Sequence, residues 1–169
     1  IYASAGVAVE VGGYHDVPGT DTDSALVDLE STLGAPNDLS KLLLTGQAED
    51  TTALNVFFVN SIYRDNDFSG GGLVLGIAAG VPGPAFLGPN YRGGVAIATF
   101  DPEGRPVENY LGAVLAHEIG HYLGLYHTTE KTGTVHDTLA DTPEGESTNL
   151  LYWTYAADHV ELSAGQAAV

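Results

Sequence analysis

Cysteine and methionine are both absent from the 169 residues of the chain. Without cysteine, the chain forms no disulfide, carries no thiolate nucleophile and offers no thiolate ligand to zinc. Without methionine it lacks an initiator residue and begins at Ile1, which predicts a processed or excised piece of a longer protein. No basic and apolar signal segment opens it.

Positive charge is also scarce, because 5 Lys and Arg stand against 22 Asp and Glu, giving a formal net charge of −17. Such an acidic chain does not bind nucleic acid or an anionic membrane surface unassisted. No apolar run reaches the roughly 18 residues of a membrane span. Few lysines beside many Asp, Gly and Thr are typical of secreted, extracellular proteins, and 44% apolar residues suffice for one domain with a core.

Apolar periodicity predicts an alternation of strands and helices along the chain. Strands are predicted over residues 1–11, 53–62 and 95–100, and helices over 22–33, 38–44 and 107–123. The glycine- and proline-rich residues 65–94 predict a loop that lines a site or carries a short strand of its own. From residue 128 onwards the pattern indicates loops, closed by a capping-box pattern at Ser163 and Gln166.

Residues 117–127, which read HEIGHYLGLYH, contain the candidate metal-binding and catalytic residues. His117 and His121 lie four residues apart on the predicted helix, so both imidazoles project from one face and can share a metal ion. Gly124 permits a sharp left-handed turn that can return His127 as a third ligand. Three neutral imidazoles with one open coordination position predict a catalytic zinc site, because structural sites are closed by four protein ligands.

Glu118 lies about 100° around the helix from its neighbour His117. It is therefore placed to contact a water bound to the metal rather than to act as a fourth ligand. Zinc lowers the pKa of such a water towards neutrality. Glu118 is therefore placed to accept a proton from that water. Any one of these histidines alone is more simply a surface residue, so the prediction depends on their joint spacing.

The pattern H-E-x-x-H-x-x-G-x-x-H resembles the zinc signature of the metzincin metallopeptidases. The resemblance implies zinc ligation by His117, His121 and His127, with Glu118 as general base and acid. It also implies an α+β, metzincin-like, two-lobed catalytic domain over residues 1–169. A twisted mixed β-sheet, the active-site helix and a C-terminal helix surround the substrate cleft.

The same resemblance assigns regions of the chain to the cleft. Residues 1–127 form the upper lobe with the zinc motif, and residues 128–169 form the lower lobe. Residues 94–100 are implied to be the edge strand that pairs with an extended substrate. A plain core strand is the alternative interpretation for that stretch.

Metzincins have a methionine-containing turn beneath the metal, and residues 149–153 match it with Leu151 at the methionine position. Leucine has a similar volume and still supplies an apolar floor. The family often has a tyrosine two residues beyond the methionine, where this chain has Trp153. Tyr152 and Tyr155 are therefore the candidates for a contact to the transition state or to the catalytic residues.

Residues 137–143, DTLADTP, resemble the linker of the pappalysin group of metzincins, and residues 162–166 resemble the opening of its C-terminal helix. This resemblance implies calcium in the lower lobe, with Asp137 and Asp141 as candidate ligands. Solvated loop carboxylates are the alternative interpretation. Pappalysins usually carry cysteine in this half, and this chain has none.

The remaining histidines, His15, His136 and His159, are predicted at the surface. The aromatic residues Trp153, Phe57 and Phe58 are predicted in the core. Taken together, the sequence predicts a secreted, monomeric zinc endopeptidase that acts on proteins or peptides. A peptidase restricted to very few substrates and an inactive zinc-binding module of the same fold are the alternatives, and the intact Glu118 favours an active enzyme.

Overall fold

The computed structural model describes residues 1–16, 26–28, 37–46, 53–63, 74–84, 92–101 and 103–169. Within them the strands are β1 (Leu26–Asp28), β2 (Val56–Val59), β3 (Ser61–Tyr63), β4 (Gly76–Ala78) and β5 (Val95–Ala98). The helices are α1 (Asp38–Leu44) and α2 (Leu111–Leu123), with 3₁₀ turns at Tyr2–Ala5 and Gln166–Ala168. The predicted α+β class is confirmed. Neither α-helix of the described part has the length and apolar character of a membrane span.

The strands of the described residues form two small sheets. β1 pairs in parallel with β3, and the second sheet has the order β2-β5-β4. Its central strand β5 is parallel to β2 and antiparallel to β4, and each of its residues is at most 1% exposed. Residues 94–100 are therefore not the edge strand that was predicted, because β5 has a neighbour on each side. β4, from the glycine-rich stretch, occupies the edge instead.

Several other strand predictions need correction. The strand predicted over residues 53–62 divides at Asn60 into β2 and β3, which pair in different sheets. At residues 26–28 the predicted helix is wrong, because pairing with β3 overrides the local leucine spacing. The rest of that helix, at 22–25 and 29–33, lies outside the described residues.

The strand predicted over residues 1–11 is also wrong. Tyr2 is buried and its hydroxyl donates a hydrogen bond to the carbonyl of Ala116, which anchors a 3₁₀ turn at this end of the chain. Beyond that turn, the segment with alternating valine and alanine pairs with no strand among the described residues. The valines at positions 7, 9 and 11 are exposed, which a strand buried on one face would not show.

The helices predicted over residues 38–44 and 107–123 are both present. The side chain of Asn37 caps α1 by accepting a hydrogen bond from the Ser40 amide at 2.8 Å. α2 begins at Leu111 rather than at 107, because the amide of Val107 donates to the carbonyl of Thr99 and continues the pairing beyond β5. α2 then packs across β4 and β5, which brings its histidine face beside the sheet edge.

The chain beyond residue 128 has few regular elements, as predicted. The capping box is confirmed, since the Ser163 amide donates to Gln166 Oε1 at 2.9 Å and the Gln166 amide donates to Ser163 Oγ at 3.1 Å. A 3₁₀ turn at Gln166–Ala168 follows it, at the position where the C-terminal helix was predicted to open.

Candidate active site

Three histidines converge where α2 ends. His117 and His121 lie on one face of the helix with ring centroids 4.6 Å apart. Gly124, at φ 111°, ends α2 in a left-handed conformation that a side chain would strain, and the chain turns back. The turn places His127 Nε2 3.2 Å from His117 Nε2. One candidate ligand atom from each ring lies within 4.8 Å of the others, as the spacing predicted.

The outward nitrogens of the three rings are each held by an oxygen. His117 Nδ1 donates to the carbonyl of Leu150 and His121 Nδ1 to the carbonyl of Leu125, both at 2.7 Å. His127 Nδ1 lies 3.1 Å from a carboxylate oxygen of Glu130. Because a carbonyl only accepts, the first two rings carry their proton on Nδ1 and turn the Nε2 lone pair inward.

The electrostatics of this cluster suit a cation. Burial, with a smaller contribution from the neighbouring histidines, lowers the pKa of His117 to about 3 and that of His121 to about 4. Both rings are therefore neutral at pH 7, which is the form that binds metal. The Nε2 lone pair of His117 lies 3.2 Å from Nε2 of His127, and a cation between the two nitrogens would bind both, so the donor set fits Zn²⁺.

Glu118 lies on α2 beside the triad and is only 3% exposed. Burial raises the pKa of this carboxyl to about 7, against the opposing effect of hydrogen bonds from Tyr155 and from the backbone of Ala78. The Tyr155 hydroxyl donates to Glu118 Oε1 at 3.1 Å. A Cβ on Gly76 of β4 would lie 2.6 Å from Glu118 Cγ, so only glycine at this position lets the carboxylate approach the edge strand so closely.

Of the two candidate tyrosines, the structure brings only Tyr155 to this site. Its ring contacts His117 edge-on, with centroids 5.0 Å apart. Tyr152 instead lies against Trp153 and His159, with centroids about 6 Å away, and does not line the cleft.

A cleft of about 320 Å³ opens above the triad. β4 forms one wall, and the lining side chains beyond the triad and Glu118 are Val74, Ile77, Val81, Tyr126, Glu130, Trp153 and Tyr155. Trp153 is thus a cleft residue and not a core residue as predicted, because it is only half-buried and Lys131 Nζ lies 5.9 Å from its ring. Sequence reasoning missed Tyr126 and Glu130 as well, although both stand within three residues of His127.

Tyr122 holds the segment next to Val81, which forms part of the cleft wall. Its hydroxyl donates to the carbonyl of Pro84 and its carbonyl accepts from the amide of Gly83, both at 2.8 Å. The prediction that the glycine- and proline-rich stretch lines a site and carries a strand is confirmed in its described part, since both β4 and Val81 border the cleft.

Phe57 and Phe58, the other two aromatic residues predicted in the core, lie on opposite faces of β2. Phe57 of β2 is buried, as predicted, whereas its neighbour Phe58 is 52% exposed, because successive strand residues point to opposite faces.

Leu151 is fully buried, in one cluster with Tyr2, Ala116 and Leu150. It lies against Gly120, on the helical turn between His117 and His121 of α2. The adjacent carbonyl of Leu150 holds His117. Residues 150 and 151 thus form an apolar floor that contacts the helix of the triad directly.

Asp137 stabilises a local turn, whereas Asp141 holds the distant segment of the capping box. Asp137 Oδ1 accepts from Thr142 Oγ1 at 2.5 Å, and Asp141 Oδ2 accepts from the Gly165 amide at 2.7 Å. Within the described residues, the histidine triad is the one group of three or more candidate metal ligands. Calcium at these two residues therefore stays a prediction.

The three remaining histidines have different environments. His15 is exposed, as predicted. His136 is half-buried, with its Nδ1 3.1 Å from Thr129 Oγ1. For His159 the prediction of a surface position is wrong: it is 7% exposed, because its Nδ1 donates to the carbonyl of Thr154 at 2.9 Å and its ring packs against Tyr152.

Comparison with known protein families agrees with this geometry. Residues 21–151 match the peptidase family described as Matrixin. The matched residues run through β4, β5, α2 and the whole histidine motif and end at Leu151, so they span well over half of the chain. The chain therefore belongs to the matrixin family and has the metzincin type of metallopeptidase fold.

Proposed function

We propose that this chain is the catalytic domain of a secreted, zinc-dependent endopeptidase. The observation that carries the proposal is the convergence of three imidazole nitrogens within 4.8 Å, beside a buried carboxylate and at the floor of an open cleft. His117, His121 and His127 would hold the metal and leave a coordination position open. A bound zinc ion would supply Lewis-acid polarisation of the scissile carbonyl and acidify a water molecule.

Glu118 is the proposed general base and acid. Its carboxylate would take a proton from the attacking water and pass it to the nitrogen of the leaving amine. Tyr155 supports this role, because its hydroxyl holds Glu118 Oε1 while its ring packs on His117. We assign Tyr155, rather than Tyr152, the task of orienting the general base.

β4 is the strand we propose to bind the substrate. One side of β4 pairs with β5, and its three residues line the cleft, so its other side is turned towards the space above the triad. An extended peptide that adds to this edge would present its backbone to Glu118 and to the metal ligands.

The proposed function also assigns the two lobes of the domain and the turn beneath the metal. Residues 1–127 would form the upper lobe and residues 128–169 the lower lobe of one domain. Leu151 would take the place of the methionine of other metzincins, supported by its burial against α2. The DTLADTP segment supports a pappalysin-like lower lobe within this matrixin-family chain.

Calcium at Asp137 and Asp141 is a weaker part of the proposal. Its support is the net charge of −17, since a bound cation would relieve repulsion among the carboxylates. A monomeric state is likewise proposed from the sequence alone.

Hydrolysis of casein tests the central proposal. The zinc-loaded chain should degrade casein, a chelator should stop the reaction, and added zinc should restore it. Glu118→Ala should bind zinc and yet hydrolyse nothing, whereas Glu144→Ala, which removes an exposed carboxylate outside the cleft lining, should keep full activity.

A zinc-loaded wild-type chain that leaves casein intact would contradict a broad endopeptidase. A library of random peptides would then separate the two alternatives. Cleavage of a few members would indicate a peptidase restricted to few substrates, and no cleavage would indicate an inactive zinc-binding module.

A further inference from the structure

We propose that Glu130 is the positioning residue of the third ligand, His127. The proposal rests on the zinc site proposed above and adds a function for a side chain outside the HEIGHYLGLYH motif. In it, the Glu130 carboxylate accepts the Nδ1 proton of His127 and so turns His127 Nε2 towards the metal.

The three ligands differ in what holds their outer nitrogen. Main-chain carbonyls, those of Leu150 and Leu125, hold the rings of His117 and His121. His127 Nδ1 instead faces a side chain, with Glu130 Oε2 3.1 Å away. Of the three outer partners, Glu130 is therefore the one that a substitution can remove while the backbone is kept.

His127 also needs an orienting partner more than the other two ligands do. His117 and His121 project from consecutive turns of α2, which fixes their direction. His127 lies beyond the left-handed turn at Gly124, off the helix, and its side chain is 23% exposed. Nothing in helix geometry sets its ring rotation, so a hydrogen-bond acceptor at Nδ1 has to do so.

Glu130 itself is held on ordered backbone. Its amide donates to the carbonyl of Val135 and its carbonyl accepts from the amide of Gly133, both at 2.8 Å. The neighbouring Thr129 forms a β-bridge with His136 and accepts a hydrogen bond from the amide of Gly145. The turn that presents the carboxylate is thus held on both sides by hydrogen bonds within the protein.

A carboxylate in this position has two effects on a ligating imidazole. It fixes the tautomer and the ring orientation, and its charge makes the inner nitrogen more basic. Loss of such a partner typically weakens metal binding about 10- to 100-fold. We expect a loss in that range for Glu130→Ala, and a smaller loss for Glu130→Gln, whose amide oxygen still accepts the Nδ1 proton.

The test measures zinc affinity by competition with a chelating indicator, for the wild type, Glu130→Ala, Glu130→Gln and Glu144→Ala. Glu144→Ala is the matched control, because Glu144 is exposed and lies 3.6 Å from Nε2 of His136, a histidine outside the triad. It removes the same charge and should leave zinc affinity within about twofold of the wild type.

Cobalt-substituted protein supplies a second readout besides affinity or activity. Paramagnetic Co²⁺ shifts the exchangeable Nδ1 protons of its histidine ligands far from the rest of the proton NMR spectrum. The wild type should show one such signal for each of the three ligands. In Glu130→Ala one signal should broaden through exchange with solvent, while the two held by main-chain carbonyls persist, and Glu130→Gln should restore it.

The outcomes separate this inference from the proposed function. If the wild type binds no zinc, the proposed metal site itself is wrong. If the wild type binds zinc and Glu130→Ala keeps its affinity and all three signals, only the role of Glu130 is wrong. Glu130→Ala and Glu130→Gln could instead lose the same affinity while all three signals stay intact. That result would show that Glu130 acts only through its charge, and it would overturn the proposal that Glu130 orients His127.

Discussion

Gly76 and Glu118 approach each other so closely that a methyl group on residue 76 would lie 2.6 Å from Glu118 Cγ and 2.8 Å from Oε1. The Glu118 carboxylate is therefore packed directly against the edge strand β4. Because residue 76 is glycine and has no side chain, the strand leaves room for the group that we propose as general base.

Gly76→Ala should lower kcat/KM on the order of 100-fold, because the new methyl group displaces Glu118 from its position beside the triad. Zinc affinity should change little, since the atoms nearest to the new methyl group belong to Glu118 and Val114 and not to a histidine of the triad. The matched control is Gly112→Ala on α2, where the added Cβ meets nothing within 4 Å. Steady-state kinetics that show equal kcat/KM for both variants would contradict this account of the strand.

Tyr155→Phe should lower kcat about tenfold with little change in KM, because it removes a hydrogen bond to a charged group, which contributes roughly 1.5 kcal/mol. Its ring still packs against His117, so the metal site should persist. Tyr152→Phe changes the other candidate tyrosine and should leave both constants as they are. A larger loss of kcat in Tyr152→Phe would reverse the assignment of the two residues.

Leu151→Met should change the free energy of unfolding by less than about 1.5 kcal/mol and keep the enzyme active, because the two side chains have similar volumes. Leu151→Ala should cost about 2 to 5 kcal/mol, because it opens a cavity beneath α2. Urea denaturation of the zinc-loaded proteins measures both. A methionine variant as unstable as the alanine variant would show that this floor is not interchangeable with that of other metzincins.

Local spacing was sufficient for the histidines on α2 and for the capping box of Ser163 and Gln166. Residues four apart on a helix share a face whatever surrounds them, so His117 and His121 could be paired from the sequence. The reciprocal bonds of Ser163 and Gln166 were predictable for the same reason, because the capping box involves one turn of chain.

The features that could not be predicted from the sequence depend on contacts between residues far apart in the chain. β4 and β5 are both short and apolar, and only their order in the sheet makes one of them the edge. Trp153 and Tyr155 stand two residues apart in an irregular segment, where no periodicity indicates which side chains face the cleft. Leu26 carries a helical leucine pattern, yet its backbone pairs with β3 across more than 30 residues of chain.

The edge position of β4 also exposes the protein to unwanted partners. A strand that pairs with only one other strand, as β4 does among the described residues, is a template for any other extended chain, including a second copy of the same protein or an unfolded neighbour. With only three residues, β4 offers few backbone hydrogen bonds, and its first residue is a glycine. The short length that limits this hazard also means that a peptide gains little affinity from the strand alone. Selection among peptides must then come from the side chains that surround the cleft.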